Sequence, residues 1–327
     1  VTGPADSATI GAMNSVRPLW SLILALALVS GARVAHAKPD PKQAKVNVYI
    51  DVLNAWSGYV YKQRDDYFAW VDRAKGPDCK ASKARGPSAI GDTARDQTFP
   101  GYLKALKKGP KLPADEAAMK MVTTLQALWQ PTADASEYYF KRQWKDDDCQ
   151  KGKALHETLT ALWDEYAAAD REVRAFVVAY NDERQVAELA TTAKKYGKKL
   201  RFHFLQTSHD AKLLIRTIDA ATEKQPYDTA AVTEKLTAFV AILDATAALA
   251  EAQRNNRKVY DVLYQGGYTQ FVTHAGWYRD AVAELAKLLA DPKAKPERLG
   301  KAHDEVIRTY NAMVDAGNKV QLTKSIK

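Results

Sequence analysis

Residues 42–74 read KQAKVNVYIDVLNAWSGYVYKQRDDYFAWVDRA, and within them Val46, Tyr49, Ile50, Leu53, Trp56, Val60, Tyr67 and Val71 recur mostly in steps of three and four. Apolar residues at that spacing share one face of an α-helix. At 1.5 Å of rise per residue the helix is roughly 50 Å long, which predicts an elongated molecule. Gly76-Pro77 closes it.

The 76–113 segment that follows carries Gly86-Pro87, Pro100-Gly101 and Gly109-Pro110. Such pairs break helical and strand periodicity alike and mark one long irregular loop. Loops of that length are often functional, the plainer role being a tether. Helical spacing resumes at Met121, Leu125, Leu128 and Trp129 and is expected to stop before Pro131. Leu155, Leu159, Leu162, Trp163, Tyr166, Val173, Phe176, Val177 and Tyr180 predict one long helix or two abutting ones, with a stop at Gly197. Leu200–Thr222 reads as a further helix, and Asp228 or Thr229 can cap the next with a side-chain oxygen. Gly266-Gly267 then interrupts; helix runs from Tyr268 to Ala290 and again from Pro296, where proline suits a first turn. No strand-length alternation of apolar and polar residues occurs, and Val and Ile are scarce beside Ala and Leu. The expected fold is all-α, an elongated antiparallel bundle of long amphipathic helices over 38–327, built as one domain or two sub-bundles.

Upstream, Met13 is followed by Arg17, the apolar run Leu19 to Val29, and Ala35-His36-Ala37. A charged start, a short apolar stretch and a small-x-small site in that order predict a signal peptide cleaved after Ala37, with Met13 as initiator. The run is about half of the roughly 20 residues that span a bilayer. The protein is therefore expected to be periplasmic or secreted, with no transmembrane segment in the mature chain. No Cys follows the apolar run, so no lipid anchor is expected.

The formal charge is +9, with lysines densest at Lys104, Lys107, Lys108 and Lys111 and at Lys194, Lys195, Lys198 and Lys199. Such an excess favours anionic surfaces. In an exported chain the reading is a solvated helix face or a partner surface, and no nucleic-acid partner is expected. Cys79 and Cys149 are the two cysteines. An oxidising compartment favours their pairing; a catalytic thiol would need an activating base that nothing in the sequence indicates.

No catalytic, cofactor-binding or metal-binding motif is present. His156, His203, His209, His274 and His303 include no pair four apart, which excludes a helical zinc site of the H-E-x-x-H kind. C-x-x-C-H, a Gly-rich phosphate loop and G-x-S-x-G are likewise missing. Asp146-Asp147-Asp148 could attract a cation but lacks the ligand spacing and glycine of an EF-hand. Acids there fit the start of the following helix, whose dipole favours them. Aromatics crowd the first helix beyond what one buried stripe absorbs: Trp56, Tyr59, Tyr61 and Trp70 are candidates for a partner surface. Packing of the 76–113 loop over them is the simpler arrangement.

Two end segments share an apolar-x-x-apolar-Asn pattern, Lys45-Val46-Asn47-Val48-Tyr49-Ile50-Asp51-Val52-Leu53-Asn54 and Val306-Ile307-Arg308-Thr309-Tyr310-Asn311-Ala312-Met313-Val314. With Asp147-Asp148 and Lys151-Gly152-Lys153-Ala154-Leu155-His156 between them, the chain resembles the YiiG family of exported bacterial proteins, a group defined by a domain of unknown function. The resemblance implies an extracytoplasmic helical domain with no established activity, so no catalytic residue carries over. Many such proteins look lipid-anchored through an N-terminal Cys, from which this chain departs. Asn54 and Asn311 are expected to pair across a seam between the first and last helices, since buried amides find partners.

The functional expectation is a non-enzymatic helical protein, without cofactor, that binds an envelope partner: a protein, peptidoglycan or an anionic lipid surface. The alternatives are a carrier enclosing a lipid or small apolar ligand between helices, and an envelope hydrolase assembled from dispersed groups such as His156, His203 or Asp147.

Overall fold

A computed structural model describes residues 40–79, 84–223, 225–256 and 265–320. The expected signal peptide lies outside them. The fold is all-α, with no β-strand among the described residues. The chain divides into two compact units, whose boundary falls between Tyr180 and Asn181.

The first unit opens with one helical run, α1 (Pro41–Val52), a π-helical turn at Leu53–Ser57, and α2 (Gly58–Phe68). Asp40 caps it by accepting from the Lys42 amide at 3.1 Å. Helix ends at Phe68, and turns carry the chain to Gly76, earlier than the apolar spacing predicts. The expected irregular loop is partly helical, because residues 92–106 form a short π-turn followed by α3 (Phe99–Leu106). Pro100 sits in the first turn of α3, where no backbone donor is required of it. Next comes α4 (Asp115–Phe140), which runs through Pro131 rather than stopping before it. One residue on, the Thr132 hydroxyl donates to the carbonyls of Leu128 and Trp129 at 2.8 and 3.0 Å, within the same turn.

α1 is tied to the start of α4 by a buried ion pair. Lys45 Nζ lies 2.7 Å from Asp115 Oδ2 and donates to the Pro110 carbonyl at 2.9 Å, with both charged side chains at most a tenth exposed. The Tyr49 hydroxyl and the Leu112 amide donate to the same carboxylate. Burial alone would raise the Asp115 pKa, but Lys45, Tyr49 and the Leu112 amide outweigh it and hold the carboxyl below its usual range.

α5 (Gln150–Tyr196) is a single helix that stops at Gly197, and its first thirty-odd residues belong to the first unit. Asp147 prepares its start by accepting from the amides of Cys149 and Lys151 at 3.0 Å each and from the Tyr138 hydroxyl at 2.7 Å. The acidic run thus serves the helix N-terminus. Cys79 and Cys149 form a disulfide that pins the segment after α2 to the same point. Trp163, Tyr67, Tyr138, Tyr139 and Tyr166 fill the centre of this unit.

In the second unit α6 (Leu200–Thr222), α7 (Thr229–Ala252), α8 (Gln265–Ala290) and α9 (Pro296–Asn318) form an antiparallel bundle. Asp228 caps α7 through the Ala231 amide at 3.0 Å. Thr207 near the start of α6 bonds Thr246 near the end of α7 at 2.8 Å. Near the start of α8, His274 Nδ1 donates to the Ala312 carbonyl of α9 at 2.9 Å. α9 returns beside α6, bringing Gly317 against Phe204 and His303 toward Asp219. The core between them holds Phe204, Phe239, Phe271, Tyr278, Tyr310 and Met313. Fully burying such a side chain contributes about 1.5–3 kcal/mol. Gly266-Gly267 does not interrupt α8. A Cβ at Gly267 would come 3.0 Å from the Lys319 carbonyl oxygen, so glycine there lets the two helix ends approach.

Candidate functional site

The first-helix aromatics are covered from the 76–113 side. The Trp70 indole donates to the Arg85 carbonyl at 3.0 Å, and the Tyr59 hydroxyl to those of Ser88 and Ala89 at 3.2 and 3.0 Å. Gln63 also donates to Ser88, and the Ile90 amide to Thr132 of α4. Trp56 packs its ring 4.8 Å from that of Phe99. The Tyr61 hydroxyl turns inward to Asp170 at 3.0 Å. Trp56, Tyr59, Tyr61 and Trp70 are therefore half-buried.

The cover depends on one close approach. A Cβ at Gly86 would lie 2.4 Å from the Ala135 carbonyl oxygen and 2.9 Å from the Ser136 amide nitrogen, both backbone atoms of α4. Neither can yield. Gly86→Ala is expected to lift residues 84–90 from α4 at a cost of about 1–3 kcal/mol. Faster hydrogen exchange at Ile90 and stronger quenching of Trp70 would report it; unchanged exchange at Ile90 would show that the loop accommodates the methyl.

Beneath α2, Asp170 of α5 gathers three side chains. It accepts from Ser57 and Tyr61 and from Arg174 Nε at 2.6 Å, with Arg174 and Asp170 side chains 5% and 1% exposed. Burial, then the neighbouring Asp170 charge, raises the Tyr61 hydroxyl pKa. This cluster joins the first helical run to α5.

A groove of about 470 Å³ lies next to it in chain order, lined by Arg73, Lys75, Lys153, His156, Glu157 and Asp164 among others. Arg73 pairs with both oxygens of Asp164 at 2.6 and 2.7 Å. His156 Nε2 donates to the Arg73 carbonyl at 3.1 Å, which leaves Nδ1 facing the Tyr67 hydroxyl at 3.4 Å. His156 holds the turn after α2. The lining carries cations and carboxylates in near balance, unsuited to an apolar cargo.

The second unit places its charged groups in two ways. Inside, Asp182 meets Lys212 Nζ at 2.8 Å and Arg216 Nη1 at 2.6 Å. Burial opposes its ionisation, yet those cations hold its carboxyl below the usual range. Burial lowers the pKa values of His203 and His209 and raises those of Asp210 and Asp219. No group of three or more His, Cys, Asp or Glu among the described residues could hold a metal ion.

Outside, the corner between α5 and α6 exposes Lys194, Lys195, Lys198 and Lys199. Lys194 and Lys195 occupy the last turn of α5, where the helix dipole favours cations. Gly197 turns the chain with a φ of +75°. Lys195 Nζ lies 5.1 Å from the Tyr196 ring centroid and Lys198 Nζ 5.7 Å from that of Phe202. Glu188 approaches Arg201 at 3.4 Å. Of the expected seam pair, Asn54 is exposed in the first unit and Asn311 half-buried in the second.

A family model described as "Protein of unknown function (DUF3829)" matches residues 40–320. The chain is 24% identical over 314 residues to "Uncharacterized protein YiiG" of Escherichia coli (strain K12), covering 88% of this chain and 84% of that protein. No solved structure matches. The resemblance read from the end segments is borne out along the chain.

Proposed function

This chain belongs to the DUF3829 family of proteins of unknown function, and from that premise we propose that it is a non-enzymatic binding protein of the cell envelope with an anionic partner. The observation that carries the reading is the exposed lysine corner, Lys194, Lys195, Lys198 and Lys199. Closely spaced exposed cations raise the local concentration of anions and speed encounter with them. The Cys79–Cys149 bond supports an oxidising compartment, as does the signal-like stretch that ends at Ala37. No helix among the described residues is long and apolar enough to cross a membrane. Contact with the envelope in this reading is peripheral.

Cosedimentation with isolated envelopes tests it. The wild-type chain is expected to pellet at low salt and to be released as ionic strength rises, because exposed charges are screened. Replacing the four lysines by glutamine is expected to lower the bound fraction at least tenfold. Binding that ignores both salt and the four substitutions would sink the proposal.

A further inference from the structure

The lysine corner is one part of a charged end. In the antiparallel bundle the start of α6, the end of α7 and the end of α9 lie together, as Thr207 against Thr246 and Gly317 against Phe204 establish. Arg201, Arg254 and Lys319 therefore share that end with Lys194, Lys195, Lys198 and Lys199. Among the described residues the acids nearby are Glu188 and Glu251, each within 3.4 Å of an arginine, and Asp315 one turn back. At the opposite end Glu223, Asp228, Asp291 and Glu297 alternate with Lys293, Lys295 and Arg298. The bundle is thus electrically polar along its axis.

We infer that this end of the second unit docks on a membrane surface rich in anionic phospholipid. The inference rests on the proposed anionic partner and names it. Three features favour a lipid surface. The cations are mostly lysines, hydrated point charges on flexible stems, which suit diffuse attraction to many headgroups; bidentate recognition of one phosphate calls for arginine. They stand exposed together at the turn between two helices, with no enclosing pocket wall of the kind a single phosphate would need among the described residues. Tyr196 and Phe202 lie beneath the ammonium groups of Lys195 and Lys198. Half-buried rings under snorkelling lysines match the chemistry of a headgroup interface, where an apolar body and a charged tip are both accommodated.

The test uses the full chain with vesicles of phosphatidylglycerol mixed with phosphatidylcholine, vesicles of phosphatidylcholine alone, and polyphosphate as a soluble polyanion. One variant carries Lys194→Gln, Lys195→Gln, Lys198→Gln and Lys199→Gln. Its control carries Lys104→Gln, Lys107→Gln, Lys108→Gln and Lys111→Gln, which removes equal charge from exposed positions of the first unit. Circular dichroism confirms that both fold. The wild type is expected to bind the phosphatidylglycerol vesicles and not the neutral ones. At roughly fivefold per lysine near the surface, the first variant should lose at least about a hundredfold in partitioning. The control should lose less than tenfold. Equal losses in the two variants would overturn the assignment to this end. Binding of polyphosphate without binding of anionic vesicles would overturn the lipid surface and leave the proposed function standing. Failure to bind either would overturn both.

Discussion

Replacing Cys79 and Cys149 together by serine is expected to lower the stability of the first unit by about 4 kcal/mol. In the chain-entropy model the loss follows from the separation of the two cysteines, 70 residues, because the bond removes that closed loop from the unfolded ensemble. A second effect acts on the folded side. Cys79 and Cys149 both occupy left-handed backbone conformations, with φ of 52° and 65°, which side chains other than glycine adopt at a cost. Without the bond, less holds them there. Denaturant unfolding followed by tryptophan fluorescence reads this unit well, since Trp56, Trp70, Trp129, Trp144 and Trp163 all lie in it. A midpoint unchanged between wild type and double variant would show that the bond does not constrain the unfolded chain as the model requires. The second unit has its own core, so a second transition at its original midpoint is the expected internal control.

Asp170→Asn is expected to cost about 3–5 kcal/mol. The substitution keeps the shape but removes the negative charge from beside the Arg174 guanidinium, whose side chain is 5% exposed. Breaking a buried ion pair from one side leaves a charge that burial penalises and Coulomb attraction no longer offsets. The amide can also accept at one oxygen only, whereas the carboxylate serves Ser57, Tyr61 and both ends of the Arg174 fork. Pairing it with Arg174→Met, which removes both charges, should recover a large part of the loss. If the double variant is no more stable than Asp170→Asn, the penalty belongs to the Ser57 and Tyr61 hydrogen bonds instead of the stranded charge.

Much of the fold is legible in the sequence because helices announce themselves through spacing. The stripe in α1 and α2, the stop of α5 at Gly197, the Asp228 cap and the restart at Pro296 all follow from local chemistry, and the structure places them there. So does the Cys79–Cys149 bond. The failures share a cause. Pro131 and Gly267 read as helix breakers on intrinsic grounds, yet α4 runs through the first and the second lies where a neighbouring helix end packs close. Neither can be seen within a few residues of chain.

The buried charges were illegible for the same reason. Lys45 and Asp115 are 70 residues apart, and on a helical wheel Lys45 reads as a residue at the edge of the apolar stripe. Asp170 and Arg174 have the spacing of an exposed i,i+4 pair and lie in the interior. The aromatic surplus of the first helix was visible, and so was the loop able to cover it, yet the donors that join them reach backbone carbonyls, which carry no sequence signature. The lysine corner was visible as composition. Its place at one end of a bundle, beside Arg254 and Lys319, needed the antiparallel topology.

The π-turn at Leu53–Ser57 makes the first helix a two-phase element. A π-turn takes in one residue more than an α-turn over a comparable advance, so the side chains on either side keep separate clocks. Before the turn, Lys45 and Tyr49 point to Asp115; after it, Tyr61 points to Asp170, and Ser57 at its close does the same. Deleting one residue from the turn would turn everything downstream by about 100° relative to what precedes it. One of the two carboxylates would then lose the groups this helix brings to it, so chain length at this point is fixed by an ion pair to Asp115 and by two hydroxyl hydrogen bonds to Asp170 that the helix must make at once.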